Sequence, residues 1–296
     1  MNKPFRKIIT LILVLFILMF AFSSCKNGLN SEQKIDEIVY SNIASKSVQQ
    51  ELLKMMKNAN ISQQRQDVLL KKINQFNTVI GSEMLVEDYK EYISGESKYD
   101  PYDMQDKWAE KSPDFMGYNC RITAFSVFRD FLEISLKSKV NDEMIVFDLV
   151  SLEEDNSAMV EKDDEKAFSI FYSTVPTDFT KDTNVHIKKI QENFKNKGIK
   201  FLENENASII SVVFHESIDK NENYLFIGHI GVLFDYKNKV YFLEKIAFQE
   251  PYQLTKFNNR GELFDYLMSK YSVEFDQPTA QPFIMENDKP LTNLYS

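Results

Sequence analysis

The chain contains two cysteines, Cys25 and Cys120, and three histidines, His186, His215 and His229. The side chains able to pair a nucleophile with a base are therefore few. Cys120 stands in "PDFMGYNCRITAFSVF" (113–128), where a turn meets a strongly apolar run, and Asn119 precedes it. Asn is a preferred N-cap, so Cys120 is expected in the first turn of a helix. There the unpaired N–H groups and the positive end of the helix dipole favour thiolate over thiol. The same groups, with Asn119 beside them, could hold a developing oxyanion. This is the chemistry of covalent catalysis, and it requires a base and a cleft over the sulfur.

The histidines differ in setting. His186 lies between Val185 and Ile187 in an amphipathic stretch and is expected at a surface edge. His215, in "VVFHES", is expected as a hydrogen-bonded side chain at a strand end. His229 sits inside "FIGHIGVLF", with Gly228 before it and Gly231 two residues on. Glycine in a strand marks close approach by another group, and an imidazole in so apolar a run needs a partner. Glu244 can supply it. If "YKNK" closes an even-numbered hairpin loop, His229 faces Ile246 and Glu244 shares its face, diagonally adjacent. An odd-numbered loop would move Glu244 to the other face. A carboxylate beside the ring would orient it and stabilise its cation, the third role in a nucleophile–base–orienter set. Gln253, in "EPYQLTKF", is an alternate orienting residue. The plainer reading is that Asn119 caps a helix with a buried thiol, and that His229 and Glu244 are a structural pair. A zinc set of His215, His229 and Glu244 or Cys120 lacks any helical or knuckle spacing, so no metal is expected.

These residues depend on the surrounding elements. From Ile35 to about Ile93 the apolar spacing predicts three or four helices, with a capping box at Ser47 and breaks at Asn58–Asn60 and Gly81. Residues 94–118 hold two Pro, two Gly and Trp108 and read as a loop. "NCRITAFSVFRDFLEISL" is apolar nearly all round, the mark of a buried helix. "EMIVFDLV" (143–150) reads as a strand. The acidic "SLEEDNSAMVEKDDEKA" reads as a solvated loop without calcium-loop spacing. "VHIKKIQENFKNKGI" is an amphipathic helix closed by Gly198. "ASIISVVFHESI", "YLFIGHIGVLFDY" and "KVYFLEKIAF" then form an antiparallel meander, followed by a polar loop after Pro251, the helix "GELFDYLMSKY" and a polar tail. Helices first and sheet later make the class α+β.

The N-terminus carries Lys3, Arg6 and Lys7, the apolar run "IITLILVLFILMFAF" and then "SSC". This is a secretory signal, with an uncleaved anchor as the alternative. Small residues before Cys25 resemble a bacterial lipoprotein signal, in which Cys25 becomes the lipid-modified first residue. Cys120 is then the single thiol, with no disulfide in the mature chain. The whole chain carries a net charge of −9, and losing three basic residues makes the mature part more acidic. That argues against nucleic acid and against electrostatic docking on anionic lipid, leaving the lipid on Cys25 as the membrane partner. No P-loop, dinucleotide or haem motif is present, so no cofactor is expected.

A cysteine opening a buried helix, then a strand histidine, then a polar residue on the next strand resembles the papain-like cysteine hydrolases. The bacterial cell-wall peptidase and amidase branch, with "HIG" or "HVG" in such a strand, is the nearest in look. Glu244 departs from that branch, which more often has His, Asn or Gln there. "GYNCRITAF", "GHIGVLF" and "EKIAFQEPYQLTKF" together resemble an uncharacterised family of bacterial lipoproteins, domain of unknown function 4300. The resemblances imply an extracytoplasmic, lipid-anchored protein whose substrate would be a peptide or cell-wall amide. Its parts would be a signal peptide (1–24), a tether (25–33), an N-terminal helical part (34–95), a papain-like α+β core with the Cys-bearing helix on an antiparallel sheet (96–275), and a tail (276–296). The rival expectation is a non-catalytic surface lipoprotein that binds a ligand or protein.

Overall fold

The computed structural model describes residues 37–93, 99–154, 159–273 and 277–293. The expected signal, the tether and Cys25 lie outside these residues. Among the described residues no helix is long and apolar enough to cross a membrane.

The architecture is α+β. Its centre is the meander β6 (Ala207–Ser217), β7 (Asn223–Tyr236) and β8 (Lys239–Lys245). Lys237 and Asn238 adopt φ of 51° and 59°, the left-handed pair that a two-residue hairpin turn requires. The loop is thus even-numbered, and Val232 pairs Leu243 through Tyr236 with Lys239, in the register expected from the sequence. The β6–β7 ladder shifts between Val212 and Val213, so that Val212 meets His229 while Val213 meets Ile227. Gly228 is left as the extra residue of a bulge, a device that re-aims side chains.

Several sequence expectations give way here. "EIVYS" is a strand, β1 (Glu37–Ser41), and not part of a helix. It pairs on one side with β2 (Lys90–Ile93) and on the other with β9 (Tyr252–Phe257). Residues 34–95 are therefore not wholly helical. β9 replaces the loop expected after Pro251 and pairs directly with β8. The tail contributes a hairpin, β10 (Phe283–Glu286) and β11 (Lys289–Leu291), which pairs with β6. The sheet runs β11-β10-β6-β7-β8-β9-β1-β2, and β4 (Val175–Pro176) adds to β7. β1 pairs with β9 and β10 with β6, and partners so distant in sequence leave no local periodic signal.

Helices α1 (Lys46–Asn58) and α2 (Gln63–Ile80) follow the apolar spacing. The cap of α1 is Ser45, which accepts from Val48 N, rather than Ser47. Residues 101–111 form α3 (Pro101–Lys111) where a loop was expected. Asp100 caps it and Pro101 opens it, a start signal in its own right. α4 (Cys120–Phe128) ends earlier than its apolar run and passes into a 3₁₀ turn and the short β3 (Leu132–Glu133), which pairs with β5 (Lys200–Phe201). "EMIVFDLV" is helical, a 3₁₀ turn leading into α5 (Val146–Glu154), because a short apolar run alone does not distinguish strand from buried helix. The acidic stretch closes into α6 (Glu165–Phe171). α7 (Thr183–Asn196) is followed by Gly198 at φ 60°, and α8 (Arg260–Tyr271) follows β9.

The sheet has an apolar cluster on each face. One gathers Cys120, Ile122 and Phe125 of α4 with Ile230, Val232 and Leu243. The other gathers Leu263, Tyr266 and Leu267 of α8 with Val212, Leu233 and Phe242. α4 and α8 therefore lie on opposite sides of β7 and β8.

Candidate active site

Asn119 is the N-cap of α4: its Oδ1 accepts from Ile122 N at 3.1 Å. Its Nδ2 donates to Asp148 at 2.8 Å. Both ends of the amide are thus engaged within the protein. Asn119 therefore positions the helix start, and the remaining first-turn N–H groups are backbone donors. Cys120 is the first residue of that helix.

His229 projects from β7 just past Val232↔Leu243, the last β7–β8 pair. The Cys120 thiol and the His229 ring are coupled electrostatically, each favouring the charged form of the other. His229 Nε2 lies 2.7 Å from Glu244 Oε2, so Nδ1 is the ring nitrogen not taken by the carboxylate. The neighbouring glycines are needed for space. A Cβ on Gly228 would collide with the Phe214 ring, and one on Gly231 with the Phe242 ring.

Glu244 is 1% exposed and is held by more than the histidine. Tyr266 Oη donates to Oε1 at 2.9 Å, Lys270 Nζ lies 3.6 Å from Oε2, and Gln253 Nε2 lies 3.4 Å from Oε1. Gln253 also donates to Thr255 Oγ1 at 2.9 Å. It therefore supports Glu244 from behind and does not take the orienting place beside the ring. The Tyr271 ring stacks on His229 at 4.8 Å between centroids, covering the imidazole with apolar surface. Tyr266, Lys270 and Tyr271 all belong to the last turns of α8, a helix whose role the sequence reading did not identify. Tyr266 and Lys270 stand four residues apart, on one face of that helix, which is the one signal that could have pointed to them.

Electrostatics follow from this packing. Burial pushes the Cys120 thiol up, but the charge and hydrogen bond of His229 outweigh it, and the pKa falls below its ordinary value. Burial would lower His229, yet Cys120 and then Glu244 raise it to about 9. Burial would raise Glu244, while the Lys270 charge and the bonds from His229 and Tyr266 lower it to about 2. Together the directions show three groups that each favour the charged form of the next: thiolate, imidazolium and carboxylate.

Access is restricted. Cys120 is 6% exposed and His229 2%. Two cavities, of about 390 and 600 Å³, are lined by residues such as Asp235, Arg260 and Glu286 or Lys237 and Asn258, with neither Cys120 nor His229 among them. The cleft expected over the sulfur is not at either place.

The other histidines form a separate pair. His186 is fully buried, contrary to the surface position expected of it, with Thr177 Oγ1 2.7 Å from Nδ1 and Thr180 O 2.9 Å from Nε2. Its ring lies 4.4 Å from that of His215. His215 accepts from Ala280 N at 3.0 Å and contacts Asn223 at 3.2 Å. The short-range signal around His186 was misleading because its covering partner comes from β6. Among the described residues no group of three or more His, Cys, Asp or Glu is arranged to hold a metal ion.

No curated protein and no solved structure matches the chain. The model of one protein family, described as a domain of unknown function (DUF4300), matches residues 39–291, a span that holds Cys120, His229, Glu244 and every element that positions them. The chain belongs to the DUF4300 family.

Proposed function

We propose that the protein is a papain-like, thiol-based hydrolase that cleaves an amide bond, with Cys120 as nucleophile, His229 as acid–base and Glu244 as orienter. The observation that carries this reading is the buried His229, which bonds Glu244 through Nε2 and is coupled electrostatically to Cys120. In the first step the thiolate attacks the carbonyl carbon, and first-turn N–H groups stabilise the oxyanion. The C–N bond breaks as His229 gives its proton to the leaving amine. Water, deprotonated by His229, then cleaves the thioester and restores the resting pair. Glu244 suits the third position because Lys270 at 3.6 Å offsets its charge, so His229 meets a carboxylate whose field is partly neutralised. A cell-wall peptide is the substrate class that fits the resemblance and the expected location.

Cross-linked cell-wall fragments incubated with the mature chain should release new amino groups, and Cys120→Ala should reduce that release to the uncatalysed background. Equal release by both proteins would contradict the reading. One observation favours a second reading. With the sulfur only 6% exposed, a surface lipoprotein that binds a partner without turnover needs no opening of the site.

Residues 1–25 support an exported protein anchored by lipid on Cys25. The protein should partition with membranes and begin at Cys25, while Cys25→Ala should remain unprocessed or be released. Membrane association of the wild-type chain with an intact N-terminus would instead mean a transmembrane anchor.

A further inference from the structure

Asp148, on α5, is fully buried and has no part in the chemistry proposed above. Its two oxygens receive the Arg121 guanidinium as a fork, Nε at 2.9 Å and Nη2 at 2.7 Å. Oδ1 also accepts from Asn119 Nδ2 at 2.8 Å. The third arm of the guanidinium, Nη1, donates to Ile227 O at 3.2 Å. Tyr172 Oη donates to Arg121 O at 2.9 Å. Asn119 and Arg121 flank Cys120, and Ile227 stands two residues before His229, across the Gly228 bulge.

We propose that Arg121 and Asp148 form a positioning clamp that ties the start of the Cys120 helix to the strand bearing His229 and so sets the spacing of the thiol and the ring. One cation joins both sides of the site. A buried ion pair is weak evidence for stability, since apolar residues of similar volume often serve as well. Specific geometry is the better reason to bury one here. At the sulfur the two charges oppose each other, Arg121 favouring thiolate and Asp148 disfavouring it, so the pair acts mainly through placement. Lysine carries the charge but not the planar fork, which gives a substitution that separates placement from charge.

The inference rests on the thiolate–imidazolium reading, and the experiment distinguishes the two. Alkylation of Cys120 by iodoacetamide would be followed against pH in the wild-type chain, in Arg121→Lys and in the apolar double variant Arg121→Met with Asp148→Leu. Thermal midpoints would be taken on the same samples. Both variants should shift the midpoint of the pH profile up by about one pH unit and slow alkylation at lower pH about tenfold. The double variant should do so as well, with a fall in its thermal midpoint set by Asn119 Nδ2 and Ile227 O losing their partners. An Arg121→Lys profile that overlays the wild type overturns the clamp, as does a variant whose thermal midpoint falls while its pH profile stays put. Should the double variant fail to fold, Arg121→Lys alone decides. A wild-type thiol that titrates at the ordinary value overturns the thiolate reading and the clamp with it.

Discussion

Replacing His229 with alanine is expected to slow alkylation of native Cys120 at neutral pH by about a hundredfold or more. The ordinary thiol pKa is 9.0, so a thiol without help is about 1% ionised at pH 7, and burial would push it lower still. In the wild-type protein the imidazolium outweighs that penalty and lowers the thiol pKa, and the thiolate is expected to carry the reaction at neutral pH. A second-order rate constant measured with a small alkylating reagent checks this directly. An unchanged rate would mean that the ring does not set the thiol's ionisation. A thiol that reacts only after denaturation, in wild type and variant alike, would make Cys120 a core residue.

The largest effect on stability should come from Glu244→Gln. Removing one partner of a buried ionic network leaves the others uncompensated and costs about 3–5 kcal/mol. Here the abandoned groups are the His229 cation at 2.7 Å and Lys270 at 3.6 Å. Chemical denaturation should record that loss, and a second change, Lys270→Met, should recover much of it. If Glu244→Gln alone is neutral, the carboxylate is not holding the charges assigned to it. The pH dependence has a definite sign. Glu244 falls from 4.5 to about 2 on folding, so its contribution is complete above 4.5 and is lost as pH drops through 2. That contribution, on the order of 3 kcal/mol and shared with its partners, should vanish from the acid limb in Glu244→Gln. Taken alone, His229, raised from 6.5 to about 9, would stabilise below 6.5 and lose that effect as pH rises through 9. The lowered Cys120 offsets it. Between these values the folded pair and the unfolded pair each hold one proton, so that window should be nearly flat.

How much of this was legible in the sequence depended on distance along the chain. The β7–β8 hairpin could be read because its turn is two residues long, and Lys237–Asn238 fixed the face shared by His229 and Glu244. Asn119 could be read because capping is local. The pairing of β1 with β9 spans Tyr40 to Thr255 and left only five residues of ambiguous apolar pattern. For the same reason Arg121 gave no sign of Asp148, which lies in a stretch read as a strand. Pro251 and the polar residues around Gln253 read locally as a loop. Its strand exists because β8 and β1 flank it. The role of α8 was hidden for a different reason. Tyr266 and Lys270 look like ordinary residues of an amphipathic helix until Glu244 is brought beneath them.

The thiolate itself is the most direct thing to measure. Its ultraviolet absorbance, followed against pH as the difference between wild type and Cys120→Ala, reports ionisation of that one sulfur without substrate or reagent. The thiolate–imidazolium pair predicts absorbance that is already full at neutral pH, disappears only on acidification, and in His229→Ala appears only in alkali. Absorbance in the wild-type protein that first rises near or above the ordinary thiol pKa of 9.0 would contradict the pair and leave Cys120 a buried structural thiol.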